Sequence, residues 1–78
     1  MTRRAKLIER IRARPPQARF SDVRALLEIE GWRKDREKGR HVTFVKDDEP
    51  PITVPKEGGR WVKRGYLDLI CKRLRLDD

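Results

Sequence analysis

The sequence predicts an α+β domain, a three-stranded antiparallel sheet with helices packed on one face, preceded by a basic N-terminal helix. Three observations carry this reading. Apolar residues recur at helical spacing near both ends of the chain. Between them, segments rich in β-branched and aromatic residues are punctuated by turn-forming residues. The 78-residue length suits one compact domain with a thin core.

In chain order, residues 2–14 read as a helix, because Leu7, Ile8 and Ile11 share one helical face while the rest of the surface is mostly Arg and Lys. Pro15-Pro16 stops it, and a short linker follows. Residues 21–30 read as a second helix, with Ser21 placed to cap it, Asp22 near its positive dipole end, Val23, Leu26 and Leu27 on its buried face, and Gly31 to terminate it. Strands are then predicted over residues 32–37 and 40–46 around a Lys38-Gly39 turn. Asp47-Asp48-Glu49-Pro50 makes a second turn, and Ile52-Thr53-Val54 form a third strand ended by Pro55. A glycine-containing loop, flexible by composition, spans residues 56–60. Leu67, Ile70, Cys71 and Leu74 then fall on one face of a last helix. Residues 1–19 are thus expected to be a basic helical extension with a proline linker, and residues 20–78 the domain proper.

Lys and Arg number 21 against 13 Asp and Glu, for a formal net charge of +8. This is the electrostatic footprint of a polyanion binder, with nucleic acid the leading partner class and an acidic protein or anionic membrane surface the alternatives. The excess is uneven: residues 1–20 hold seven bases against the single acid Glu9, and residues 31–40 five against two. No apolar run approaches the roughly 20 residues that cross a bilayer, and the Arg-rich start lacks the apolar stretch of a secretory signal, so a cytoplasmic protein is expected. One cysteine excludes an intramolecular disulfide, and one cysteine with one histidine makes a zinc site unexpected; no metal or cofactor is predicted. Cys71 reads as a buried small apolar residue.

From Phe20 to Leu76 the chain resembles the HicA family. The resemblance rests on Leu26-Leu27 with Gly31-Trp32, Lys38-Gly39-Arg40-His41 with Phe44, Ile52-Thr53-Val54-Pro55, and Lys63-Arg64-Gly65 with Leu67 and Ile70, in that order and spacing. It implies a fold like that of a double-stranded-RNA-binding domain. It also implies a toxin that cleaves mRNA and is held inactive by a HicB antitoxin, with His41 in the place of the catalytic histidine. Two positions depart from the pattern: the residue after His41, often a second histidine in relatives, is Val42, and the usually small residue before it is Arg40.

The residues support such chemistry on their own terms. RNA is cut by its 2′-hydroxyl when one group removes that proton and another protonates the departing 5′-oxygen, and imidazole titrates near neutrality. His41 is the only imidazole. Arg36, Lys38, Gly39 and Arg40 lie beside it in sequence as candidate phosphate contacts. Lys56, Arg60, Lys63 and Arg64, around the Gly-Gly loop and the start of the last helix, are candidate RNA-backbone contacts. A non-catalytic RNA-binding domain of the same fold is the alternative, and the N-terminal helix is open to three roles: holding RNA, docking on the antitoxin, or a solvated extension.

Overall fold

A computed structural model describes residues 1–77. Its elements are α1 (Arg3–Arg12), β1 (Gln17–Arg19), α2 (Phe20–Ile29), β2 (Arg33–Lys38), β3 (His41–Lys46), β4 (Glu49–Pro55), β5 (Trp61–Lys63) and α3 (Arg64–Arg73). Strands β2-β3-β4 form an antiparallel meander, while β1 and β5 pair antiparallel as a second, two-stranded sheet. The α+β arrangement is compatible with a double-stranded-RNA-binding-domain-like fold. No helix of the described residues is long and apolar enough to cross a membrane.

Helix α1 is capped by Thr2, whose hydroxyl accepts the Ala5 N–H at 3.1 Å. It stops at Arg12, short of the expected Arg14. Arg14 takes φ 48° immediately before Pro15, where the proline ring disfavours the right-handed helical region. The Arg14 side chain then bonds Asp68 of α3 at 3.1 Å and pairs with Asp77. The expected linker is in fact β1: Gln17, Ala18 and Arg19 lie opposite Lys63, Val62 and Trp61.

Helix α2 begins two residues earlier than a Ser21 cap implies. Its N-cap is Arg19, without a side-chain bond, and the Phe20 N–H donates instead to the Arg60 carbonyl at 2.7 Å. Gly31 ends the helix as expected, at φ 95°, a conformation side-chain-bearing residues rarely adopt. Trp32, expected in the first strand, lies just before β2 and is buried.

The first meander turn is as short as expected and lies one residue later, while the second is tighter than the composition suggests. The first consists of Gly39-Arg40, and the second of Asp47-Asp48, so β4 already starts at Glu49 and absorbs Pro50-Pro51 through a register shift between Phe44 and Lys46. The loop at residues 56–60 is an ordered turn, closed by reciprocal Glu57 and Trp61 backbone bonds of 2.7 and 3.0 Å, with Gly58 and Gly59 at positive φ.

One hydrophobic core joins all these parts. The inner face of the meander gives Val42, Phe44, Ile52 and Val54, and the small sheet gives Ala18 and Val62. Helices give Leu7 and Ile11 from α1, Phe20, Val23, Leu26 and Leu27 from α2, and Leu67, Ile70 and Cys71 from α3. The Phe20 and Phe44 rings lie 6.2 Å apart across the helix–sheet boundary.

Because Ile11 is fully buried, Ile11→Ala is expected to cost about 2–5 kcal/mol, the range for emptying such a site. Urea denaturation checks this; a loss below about 0.5 kcal/mol would mean that α1 folds independently of the core.

Candidate functional site

Side chains of a strand alternate between its two faces, so the inward placement of Val42 and Phe44 sends His41 and Thr43 to the outer face of the meander. The register completes the constellation. His41 stands opposite Lys38, and Thr43 stands opposite Arg36 on one side and Thr53 on the other. Arg36, Lys38, Gly39, His41, Thr43 and Thr53 line one open concavity. The two threonine hydroxyls share a hydrogen bond of 3.1 Å. His41 is exposed, and no side chain among the described residues hydrogen-bonds its imidazole.

The β2–β3 turn fixes this geometry. Gly39 occupies the first central position at φ 59°, and Arg40 has no positive φ, the pattern of a type II′ hairpin turn. The Arg40 carbonyl accepts the Lys56 N–H at 2.7 Å, tying the turn to the end of β4.

The remaining candidates are distributed around this face. Among the described residues Arg36 and Lys38 form no ion pair, so their charge is available to a ligand. Arg40 turns to Glu57, 3.3 Å from its carboxylate, and Lys63 approaches the other Glu57 oxygen at 3.8 Å. Arg60 lies exposed in the ordered turn, and Arg64 donates to the Arg14 carbonyl at 2.8 Å. The structure does not bring Lys56 to the His41 face. Its ammonium bonds Glu37 at 2.7 Å, stands 5.2 Å from the centre of the Phe20 ring, and leaves the side chain only 18% exposed.

Sequence reasoning missed Thr43, Thr53 and Glu57. The threonines were legible as outward positions of alternating strands. Glu57 is one acid among Lys56, Arg60, Lys63 and Arg64, a pattern that marks a shared counter-ion.

Several carboxylates titrate below their ordinary range. The Lys56 hydrogen bond lowers Glu37, Lys72 and Arg14 lower Asp68, and Arg14 lowers Asp77. Burial raises the Cys71 thiol, and its sulfur faces the Ile11 carbonyl at 3.7 Å, as suits a packing residue. No group of three His, Cys, Asp or Glu residues among those described is arranged to hold a metal ion.

Position 42 is fully buried under the sheet. The difference from relatives at Val42 therefore lies on the core side and removes nothing from the face that carries His41.

The molecule is thus a small basic α+β domain that presents its one imidazole, beside two unpaired cations, on an open sheet face. Residues 20–76 match the family described as HicA toxin of bacterial toxin-antitoxin, and the chain belongs to that family. No curated protein and no solved structure matches it significantly.

Two properties of Lys56 follow. Because the Glu37 carboxyl is lowered in the folded chain, its pair with Lys56 stabilises the fold above the ordinary carboxyl pKa of about 4.3 and is lost as pH falls. Lys56→Met is expected to melt below the parent at neutral pH, with the gap closing toward about pH 3. In titrations of the chain with RNA at several salt concentrations, the same substitution is expected to leave the slope of any log affinity against log salt unchanged; a slope reduced by about 0.7 would make Lys56 a phosphate contact.

Proposed function

We propose that this member of the family is a metal-independent endoribonuclease that cleaves mRNA, with His41 as its single catalytic histidine. It works in the cytoplasm and is restrained by a HicB-like antitoxin covering the site. The observation carrying this reading is the convergence of the only imidazole with Arg36 and Lys38 on one solvent-open face.

In that arrangement the guanidinium and ammonium hold a phosphate at the concavity and offset the charge that develops during reaction. His41 then serves as base toward the 2′-hydroxyl or as acid toward the departing 5′-oxygen, and solvent water carries the other proton. Attack of the 2′-oxygen on phosphorus breaks the bond to the 5′-oxygen and leaves a cyclic phosphate and a 5′-hydroxyl. Arg40, held aside by Glu57, adds positive charge at the rim without filling the position beside the imidazole. Gly39 lets the backbone of the turn approach the strand of RNA closely. The second reading, an RNA-binding domain without cleavage, is favoured by the absence of any side chain hydrogen-bonded to His41 among the described residues.

Labelled single-stranded RNA incubated in chelator with the parent and with His41→Ala separates the two. The expected result is cleavage by the parent, reduced about 10²–10⁴-fold in the variant, with binding retained. Binding by both with cleavage by neither supports the second reading. In the same titrations, Arg36→Gln and Lys38→Gln are each expected to lower the slope of log affinity against log salt by about 0.7; unchanged slopes would remove them from the interface.

A further inference from the structure

The two-stranded β1–β5 sheet has an outer face of its own. Ala18 and Val62 point into the core, so their neighbours in register, Arg19 with Trp61 and Gln17 with Lys63, point outward. An aromatic ring, two cations and an amide therefore share one small platform. An open groove of about 730 Å³ lies over it, lined also by Arg10 of α1 and by Asp22, which pair loosely at 3.7 Å. That volume falls within the roughly 300–1,000 Å³ of ligand sites. Arg19 forms no ion pair among the described residues, and Trp61 is only half-buried. Beyond them lies a second concavity, lined by Arg19, Trp61, Gly59 and Arg60.

We propose that this platform is a second RNA contact, in which one base stacks on Trp61 while Arg19 and Arg10 hold the flanking phosphates. The inference rests on the reading of the chain as an RNA-binding protein and extends it to a surface that the His41 face does not include. Stacking on an aromatic suits an unpaired base, since every base offers a π-face, and guanidinium groups on either side suit the backbone. Glu57 links the two surfaces, because it braces Arg40 beside His41 and approaches Lys63 on the platform. A single strand leaving the His41 concavity thus meets Arg40 and Lys63, both held against Glu57, on its way round that loop. The occupant is single-stranded RNA several nucleotides long, with the base on Trp61 outside the cleavage position.

The test uses the whole chain carrying His41→Ala and Trp32→Phe, which leaves Trp61 as the only tryptophan, titrated with an oligouridylate of about eight nucleotides. Saturable quenching of Trp61 emission is expected. Arg19→Gln, an exposed position that disturbs no packing, is expected to weaken binding of the octamer about tenfold and leave a dinucleotide unaffected. In the cleaving parent it raises KM for the octamer with kcat unchanged. Octamer binding with unquenched Trp61 and no effect of Arg19→Gln overturns the platform alone. Absence of RNA binding by the His41→Ala chain overturns the platform together with the RNA reading. Quenching by polyglutamate and not by RNA assigns the groove to an acidic protein and also overturns the proposal.

Discussion

The chain has enough apolar surface to cover only one face of its three-stranded sheet. Everything else follows from which face that is. Val42, Phe44, Ile52 and Val54 are fully or almost fully buried against the helices, and the twofold periodicity of a strand then fixes His41, Thr43 and Thr53 on the open side. A slip of one residue in β3 would put the imidazole in the core and the phenyl ring of Phe44 in water. The register that stabilises the core is therefore the same register that assembles the candidate site. The Gly39 turn and the Lys56–Arg40 backbone bond hold it at the end nearest the imidazole.

The elements with a long apolar period were readable because their burial is written into a single segment. The α2 and α3 faces and the β3 alternation are of this kind. What could not be read depends on partners far away in the chain. β1 has three residues and buries only Ala18, too little pattern to distinguish from a linker until Val62 is known to stand opposite. The start of α2 shifted for the same reason, since the Arg60 carbonyl, 40 positions on, satisfies the Phe20 N–H in the helix's first turn. Strand β4 could begin at Glu49 because a bulge accommodates Pro50-Pro51, and the turn at Asp47-Asp48 rests on a positive φ at Asp48 that an acidic side chain tolerates.

Charge was legible in sum and not in distribution. The excess of +8 is the footprint of a polyanion binder without choosing the polyanion, yet much of the cationic surface is engaged within the fold. Arg14 is committed to Asp68 and Asp77, Lys56 to Glu37, and Arg40 and Lys63 lie against Glu57. Proximity in sequence grouped Lys56 with the candidate ligand contacts, whereas its ammonium is held by Glu37 and stands over the Phe20 ring. Arg36 and Lys38 remain free on the face that holds the imidazole, and this selective availability says more than the total.

Strand geometry also changes the meaning of the residues flanking His41. A histidine at position 42 would enter a fully buried site, where an imidazole without a hydrogen-bond partner is costly and where no extended RNA could reach it. Valine there is what the core requires. Arg40, on the other side, belongs to the turn and not to the strand, and Glu57 draws its guanidinium toward the neighbouring loop. Both departures from the family pattern thus fall outside the outward row formed by Lys38, His41, Thr43 and Arg36, and the composition of that row, one imidazole and two cations, is the same whichever residues precede or follow His41.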